Sequence, residues 1–377
     1  MGSRVDGPRF MKPEEFEETM QLMRSCFGGL RNNPDRPLPY WADASDSSRH
    51  AVIAVDGNIV SHVVCAPADF TAGPTVVTAR GIAGVATHPD HRGNGYMSQL
   101  MNFWLEQAAA SDIPLLELEG DRQRYLRFGF ENAGREFRFR ITERSHPLPE
   151  SHPSIRPVDI ELDLSAIAEV HDGERYRVRR DTDRYRRVLD PNRYKTLVYD
   201  DRGIEGYVSY RGNEPVSVEE FGGSHHAVSA LLGHLCDAQE DLIVYTHPHH
   251  PLMGLFYQIA ADWRLRSHRK LRITNLYSLL SAYQPLLEER WRQLPTRSSR
   301  IETIQLGEDT PVAVKMSAND VQIEQAADEE VTLTLGRAGM TRLLFGVADG
   351  MWEAKQTVPL LAQLLPLEYY MWQTETI

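Results

Sequence analysis

Apolar residues near the start of the chain recur at helical spacing. Phe16, Met20, Met23 and Phe27 predict a helix over 13–27. A polar stretch rich in Pro and Asp, 28–49, follows as a connection. The segment HAVIAVDGNIVSHVVCAPADF (50–70) reads as a β-hairpin with Asp56 and Gly57 at the turn. A strand over 76–86 leads into THPDHRGNGYMSQLMNFWLEQAAAS. Its second half is helical through Met97, Leu100, Met101, Trp104 and Leu105. PLLELE (114–119) reads as a short buried strand, 121–128 as a short helix and 135–141 as another strand.

The run SHPLPESHPS (145–154) is a linker by composition and marks a first boundary. The second block predicts an Arg- and Tyr-rich helix over 174–189 and hairpin-like strands around Gly203 and Gly212. It continues with a helix over 228–236, a strand over 242–246 and a helix over 255–262. RQLPTRSSR (292–300) marks a second boundary. The last block has strands at 312–316 and 331–335 and helices at 340–344 and 358–364. The expected domains are 1–150, 151–291 and 292–377. The length of 377 residues agrees, since domains run to roughly 150 residues.

The pattern is therefore α/β, and composition narrows its partners. Acidic residues number 53 against 41 basic, a formal net charge of −12, which disfavours nucleic-acid binding. The charge is compatible with a cationic ligand, and solubility is the better explanation of it. Cys26, Cys65 and Cys236 are odd in number and widely spaced, with no CxxC motif, so a reducing cytoplasm is expected. No apolar run approaches the ~20 residues of a membrane helix, and no membrane partner is expected. MGSRVDGPRF lacks the apolar core of a signal peptide. A myristoylation motif wants Ser or Thr where Asp6 stands, and a cloning remnant explains Gly2 and Ser3.

Chemistry concentrates in Val85-Ala-Thr-His-Pro-Asp-His-Arg-Gly-Asn-Gly-Tyr-Met-Ser98. A strand ends, a glycine-rich turn follows and a helix begins. The first amides of a helix lack internal partners and carry partial positive charge, which suits a phosphate. Gly93 and Gly95 permit close backbone approach, and Arg92 adds a cation. A plain strand-to-helix turn is the simpler reading of a bare GxG. Here strand, Arg, spacing and helix agree.

At these residues the chain resembles the GNAT superfamily of N-acetyltransferases, whose Q/R-x-x-G-x-G/A motif binds the pyrophosphate of acetyl-CoA. It reads Arg92-Gly93-Asn94-Gly95-Tyr96-Met97 here, with Met97 where Gly or Ala is usual. Because the motif works through backbone amides, the resemblance implies that Met97 points away from the cofactor and that Gly93 to Ser98 hold the pyrophosphate. It also implies that Val85, Ala86 and Thr87 pair with the pantetheine arm. The next strand splays away to leave a thioester slot, with Glu119 and Gly120 at its end. Tyr125-Leu-Arg-Phe-Gly-Phe130 is similar to the family's Y-x-x-x-G-F segment. A hydroxyl beside the sulfur stabilises a departing thiolate. A thiol near pKa 8.5 and Tyr near 10 make full transfer uphill by about 1.5 units, so late hydrogen-bond donation is the expected role. Taken alone, Tyr125 reads as a core aromatic beside Phe128 and Phe130.

The three-block plan is similar to the enhanced intracellular survival (Eis) protein family, and EVTLTLGRAGMTRLLFG resembles that family's sterol-carrier-type domain. The resemblance implies tandem GNAT-like folds, the second degenerate, plus a C-terminal sterol-carrier-like α+β domain. It implies homo-oligomers (hexamers or trimers) and acetylation of aminoglycoside- or polyamine-like amines or of lysine. It also implies that the terminal carboxylate, here on Ile377, enters the active site as general base. Family termini are commonly aromatic and Ile377 is not, and a frayed tail is the usual fate of a terminus. Phe27, Tyr40 and Trp41 stand as candidates for an acceptor pocket, with surface or core packing equally open.

Other signals carry less. His247-Pro-His249-His250 reads as a solvated loop cluster, and no metal is expected. Arg175, Arg177, Arg179 and Arg180 read as a solvated helix face or as interface ion pairs. No cysteine has a visible activating partner, so an acyl-cysteine route is not expected. A non-catalytic acyl-CoA- or lipid-binding module is the competing reading, supported only by Met97 and the atypical terminus.

Overall fold

The computed structural model describes residues 3–27, 39–142, 148, 152–212, 215–238, 241–295, 297–318, 320–327, 329–347 and 351–375. The first block runs β1 Val5–Phe10, α1 Phe16–Cys26, β2 His50–Val55, β3 Asn58–Pro67, β4 Phe70–Ala72, β5 Thr75–Val77 and β6 Ala79–Thr87. It continues through α2 Tyr96–Ala110, β7 Leu115–Leu118, α3 Arg122–Leu126, β8 Glu131–Ala133 and β9 Glu136–Thr142. β2 is buried at every position. Both of its faces are covered: Met20, Leu22 and Met23 of α1 lie over one, and Leu100, Met101 and Trp104 of α2 over the other. The β2–β3 turn has φ +50° at Asp56 and +88° at Gly57, the two left-handed positions that a tight hairpin turn of this twist requires.

The second block runs β10 Ile155–Pro157, α4 Ile160–Asp172, β11 Tyr176–Val178, α5 Thr182–Val188, β12 Lys195–Asp200, β13 Ile204–Arg211 and β14 Val216–Gly223. It ends with α6 His225–Ala238, β15 Asp241–Thr246, α7 Met253–Ile259, β16 Asp262–Arg266, β17 Arg269–Ile273 and α8 Leu276–Gln293. The last block holds β18 Arg300–Leu306, β19 Val312–Met316, β20 Val321–Gln325, β21 Leu333–Leu335, α9 Arg337–Phe345, α10 Trp352–Thr357 and α11 Pro359–Leu364.

Two seven-stranded mixed sheets share one plan. Their orders are β1-β2-β3-β6-β7-β17-β8 and β10-β12-β13-β14-β15-β9-β16, with β6–β7 and β14–β15 the parallel pairs. The blocks exchange strands: β9 lies between β15 and β16, and β17 lies between β7 and β8. Neither sheet is complete within 1–150 or within 151–291. A four-stranded sheet, β20-β19-β18-β21, forms the last block, and α8 ties it on where Trp291 Nε1 donates to the Ser317 carbonyl at 2.6 Å. These are tandem GNAT-like α/β folds followed by an α+β domain.

Several elements differ from the sequence expectation: it holds no helix at α4 or α8 and no strand at β18, and the helix expected over 255–262 ends at Ile259. The helix expected over 174–189 begins only at Thr182, capped by the Asp181 side chain. The preceding residues alternate with period two, Tyr176 and Val178 buried, and pair antiparallel with β4. Edge strand β1 has no counterpart in the sequence pattern. Its residues are mostly exposed, so it has little apolar signal, and Pro8 is tolerated there within a bulge.

Candidate active site

The site begins at a bulge in β6. Facing β3, His62 pairs with Ala86 and Val64 with Ala83, so two residues, Gly84 and Val85, stand opposite one. Gly84 has φ +54°, and a Cβ there would lie 2.9 Å from Trp41 Cη2. Pairing between β6 and β7 ends at Ile82 and Leu118. Beyond it the strands part, leaving the β7-facing edge of Val85, Ala86 and Thr87 without a ladder partner among the described residues.

The loop follows at once. Arg92 Nε donates to the Thr87 carbonyl at 3.3 Å, and Asn94 Nδ2 to the His91 carbonyl at 3.0 Å. A Cβ added to Gly93 (φ +85°) or to Gly95 (φ +76°) would meet nothing within 4 Å, so the space above both is open. Gly95 is the N-cap of α2, and among the described residues no side chain caps that end, which leaves its first amides to an anion. Thr87, Arg92, Gly93, Tyr96, Met97 and Ser98 line a cavity of ≈ 320 Å³. Met97 also packs against the apolar cluster beneath α2. Sequence reasoning misses Arg127. Its Nη2 donates to Ser98 Oγ at 3.0 Å, placing a second cation at the cavity. It stands two residues after Tyr125, inside a segment singled out for its tyrosine alone.

Tyr125 lies on α3, just past β7. Its ring covers Gly120, where a Cβ would come within 2.6 Å of Cε2. It is buried in the cluster with Phe128 and Phe130, so it is a core aromatic that borders the splay. Burial pushes its phenol up, with Arg124 opposing. Glu119 is half exposed and accepts from Arg269 Nη1 at 3.0 Å.

The acceptor candidates separate. Phe27 is exposed at the C-cap of α1, beside Cys26, whose Sγ lies 3.5 Å from the Thr87 carbonyl. Trp41 is core, packed with Met20 and Met23 and stacked on His62. Tyr40 is also largely buried, but it borders a cavity of ≈ 570 Å³ with Asp43, Arg49, Asp69, Arg179 and Arg184. Arg184 Nη2 donates to its hydroxyl at 2.9 Å and the guanidinium lies 4.3 Å from its ring.

The chain's end comes to the same place. Tyr369, Tyr370, Met371 and Trp372 are buried. Glu375 is fully buried between Arg180 and Arg184, the latter at 2.6 Å. Burial alone would raise its carboxyl, and the two guanidiniums hold it below the ordinary range. Ile377 lies outside the described residues.

Of the histidine cluster only His249 is exposed. His247 and His250 are buried against Tyr370 and Trp372, and burial pulls both below the usual histidine range, His250 to about 3. Sequence could not show that the C-terminal segment folds over this loop. Among the described residues no group of three or more His, Cys, Asp or Glu is placed to hold a metal. The arginine run makes ion pairs from β11 and the residues flanking it: Arg175 with Glu289, Arg177 with Asp172, and Arg180 with Glu220 and Glu375. Burial pushes the Cys65 and Cys236 thiols up to about 12, so neither is an activated nucleophile.

Parallel strands that part beside a phosphate loop can seat a pantetheine thioester within reach of an amine, the arrangement of acyl transfer from coenzyme A. The chain is an acyltransferase, an acyl-CoA-dependent N-acetyltransferase. Residues 8–133 match the family described as Acetyltransferase (GNAT) domain, so the first block carries a GNAT domain. Over its length the chain is similar to a probable N-acyltransferase from Enterococcus faecalis, at 17% identity and TM-score 0.73, covering 98% of each chain. It is similar to a GCN5-related N-acetyltransferase from Kribbella flavida, at 16% identity and TM-score 0.69, covering 100% of this chain and 98% of that one. It is also similar to Eis1 from Mycobacterium abscessus, at 16% identity and TM-score 0.64, covering 95% and 92%. Among curated proteins nothing matches the chain.

Proposed function

We propose that the chain transfers acetyl from acetyl-CoA to a primary amine, on a cationic small molecule of aminoglycoside or polyamine type or on lysine, by direct attack in a ternary complex. The observation that carries this is the parting of β6 and β7 beyond Ile82 and Leu118, beside an open glycine loop. Acetyl-CoA fits there. The amides at Gly93, Asn94, Gly95, Tyr96, Met97 and Ser98, with Arg92 and Arg127, hold the pyrophosphate. The free edge of Val85, Ala86 and Thr87 pairs with the pantetheine arm, and Glu119 and Gly120 border the thioester. Tyr125 donates a hydrogen bond to the departing sulfur. Phe27 and Tyr40 border the acceptor's path.

The Ile377 carboxylate takes a proton from the ammonium. What supports this reading is the clamp two residues earlier: Arg184 holds Glu375 and the Tyr40 hydroxyl together. The Eis family supplies the frame: 1–150 as catalytic GNAT domain, 151–291 as its degenerate copy and 292–377 as a sterol-carrier-like domain that delivers the chain end. Homo-oligomeric assembly belongs to the same reading, and the exposed Trp263 and Leu265 of edge strand β16, with Tyr257 nearby, favour it. Among the described residues no helix is long and apolar enough to cross a membrane.

The test is release of free CoA from acetyl-CoA across polyamines, aminoglycosides and lysine peptides. Acetylated product with stoichiometric CoA supports the proposal. Tight acetyl-CoA binding with no release across the panel sinks it in favour of a binding module.

A further inference from the structure

β17 alternates: Leu271 and Ile273 are buried in the main core, and Arg272 takes the other face. Arg272 stands opposite Leu116 of β7, and residues paired across strands share a face, so its side chain lies on the side that α2 covers. A guanidinium on an apolar face needs partners. Among the described residues Arg272 Nε has none. Burial pulls the Arg272 guanidinium down to about 10, and the like charge of Arg337 pulls the same way, with Asp309 opposing. A half-buried cation held beside a second cation calls for an explanation.

The space around it supplies one. Arg272 and Arg337 line a cavity of ≈ 480 Å³ with Arg127, Asn102 and Leu105, and among the described residues no Asp or Glu lines it. Arg337 opens α9. Its Nη1 donates to the Ile273 carbonyl at 2.8 Å and its Nη2 to Asp309 Oδ2 at 3.1 Å, so Asp309 answers one of these cations from outside the lining. Gly129 (φ +81°) leaves room for the fork of Arg272, since a Cβ there would lie 3.1 Å from Nη1. Guanidiniums converging on one cavity repel one another, and an anion between them removes that cost.

The cavity adjoins the phosphate loop. Arg127 lines both this cavity and the ≈ 320 Å³ one at the loop. Ser98, Asn102 and Leu105 fall at i, i+4 and i+7 on α2, one stripe leading from the first cavity to the second. Coenzyme A carries its phosphates in a matching arrangement: the pyrophosphate on the 5′-oxygen of a ribose and a phosphate monoester on the 3′-oxygen of the same ribose. We propose that Arg272 and Arg337 bind the 3′-phosphate of acetyl-CoA in this cavity, with Arg127 between it and the pyrophosphate. The proposal rests on the acetyl-CoA reading above. A phosphate monoester carries roughly 1.5 to 2 negative charges near pH 7 and offers oxygens that match the guanidinium fork. Arg337 thereby makes the last block a reader of the cofactor.

The test is calorimetric binding of acetyl-CoA and of acetyl-dephospho-CoA, which lacks only the 3′-phosphate, to the full chain and to its Arg272→Met and Arg337→Gln variants. The unsubstituted chain is expected to bind acetyl-CoA about 10- to 100-fold more tightly than the dephospho form. Each substitution should shrink that ratio by about fivefold or more and leave affinity for the dephospho form within about threefold, which also shows that the variant is folded. Equal affinities for the two ligands in the unsubstituted chain overturn the proposal. A ratio that persists in the variants overturns it too, because the phosphate is then read elsewhere. Should Arg337→Gln fail to fold for want of its bond to the Ile273 carbonyl, Arg272→Met decides, since Arg272 Nε gives up no partner. Inorganic phosphate that raises the Tm of the chain but not of Arg272→Met, with no preference between the two ligands, marks a free-anion site and overturns the assignment to CoA. Failure to bind either ligand overturns the acetyl-CoA reading itself, whereas binding both without preference overturns this proposal alone.

Discussion

Tyr125 and Arg127 sit two residues apart and do different work. Tyr125 packs its ring on Gly120 at the mouth of the splay, so Tyr125→Phe keeps the packing and removes only the hydroxyl. kcat should fall by about 10- to 100-fold with acetyl-CoA affinity unchanged, as steady-state kinetics and calorimetry will show. Arg127 reaches the loop from the far side through Ser98. Arg127→Ala should weaken acetyl-CoA binding by about tenfold, or 1.4 kcal/mol, and leave kcat at saturation nearly unchanged. Arg92, Gly93 and Gly95 are legible in the sequence because the loop is contiguous and its glycines have a local conformational cause. Arg127 is visible in the same stretch of chain, but its role depends on a contact 29 residues back with Ser98.

Among the elements, β6 matters most. Its bulge at Gly84 and Val85 and the end of its pairing with β7 create the slot. Gly84→Ala puts a Cβ at φ +54° and 2.9 Å from Trp41 Cη2, so strain and overpacking add. It should cost about 2–4 kcal/mol in urea unfolding and weaken acetyl-CoA binding as well. Strands with an apolar face or a tight turn, such as β2 and β3, can be read from their pattern. The segment 174–189 misleads because arginines at odd positions hide a period of two, visible only once Tyr176 and Val178 meet β4. The exchange of β9 and β17 between sheets has no local signature, since strand partners are chosen by the assembled fold.

At the scale of the molecule, the second and third blocks bring the tail back to the first. The charge of −12 does not act as a uniform field at the cavity by Tyr40, where arginines and aspartates alternate. A cationic acceptor must therefore be met by particular carboxylates. The most direct measurement of the whole account is CoA release by the native chain against the same chain extended by a few residues beyond Ile377, with acetyl-CoA affinity measured in parallel. The extension is expected to lower turnover by roughly 100-fold or more while acetyl-CoA still binds, because the loop at residues 92–98 is untouched and the terminal carboxylate is displaced. Full turnover in the extended chain would contradict it.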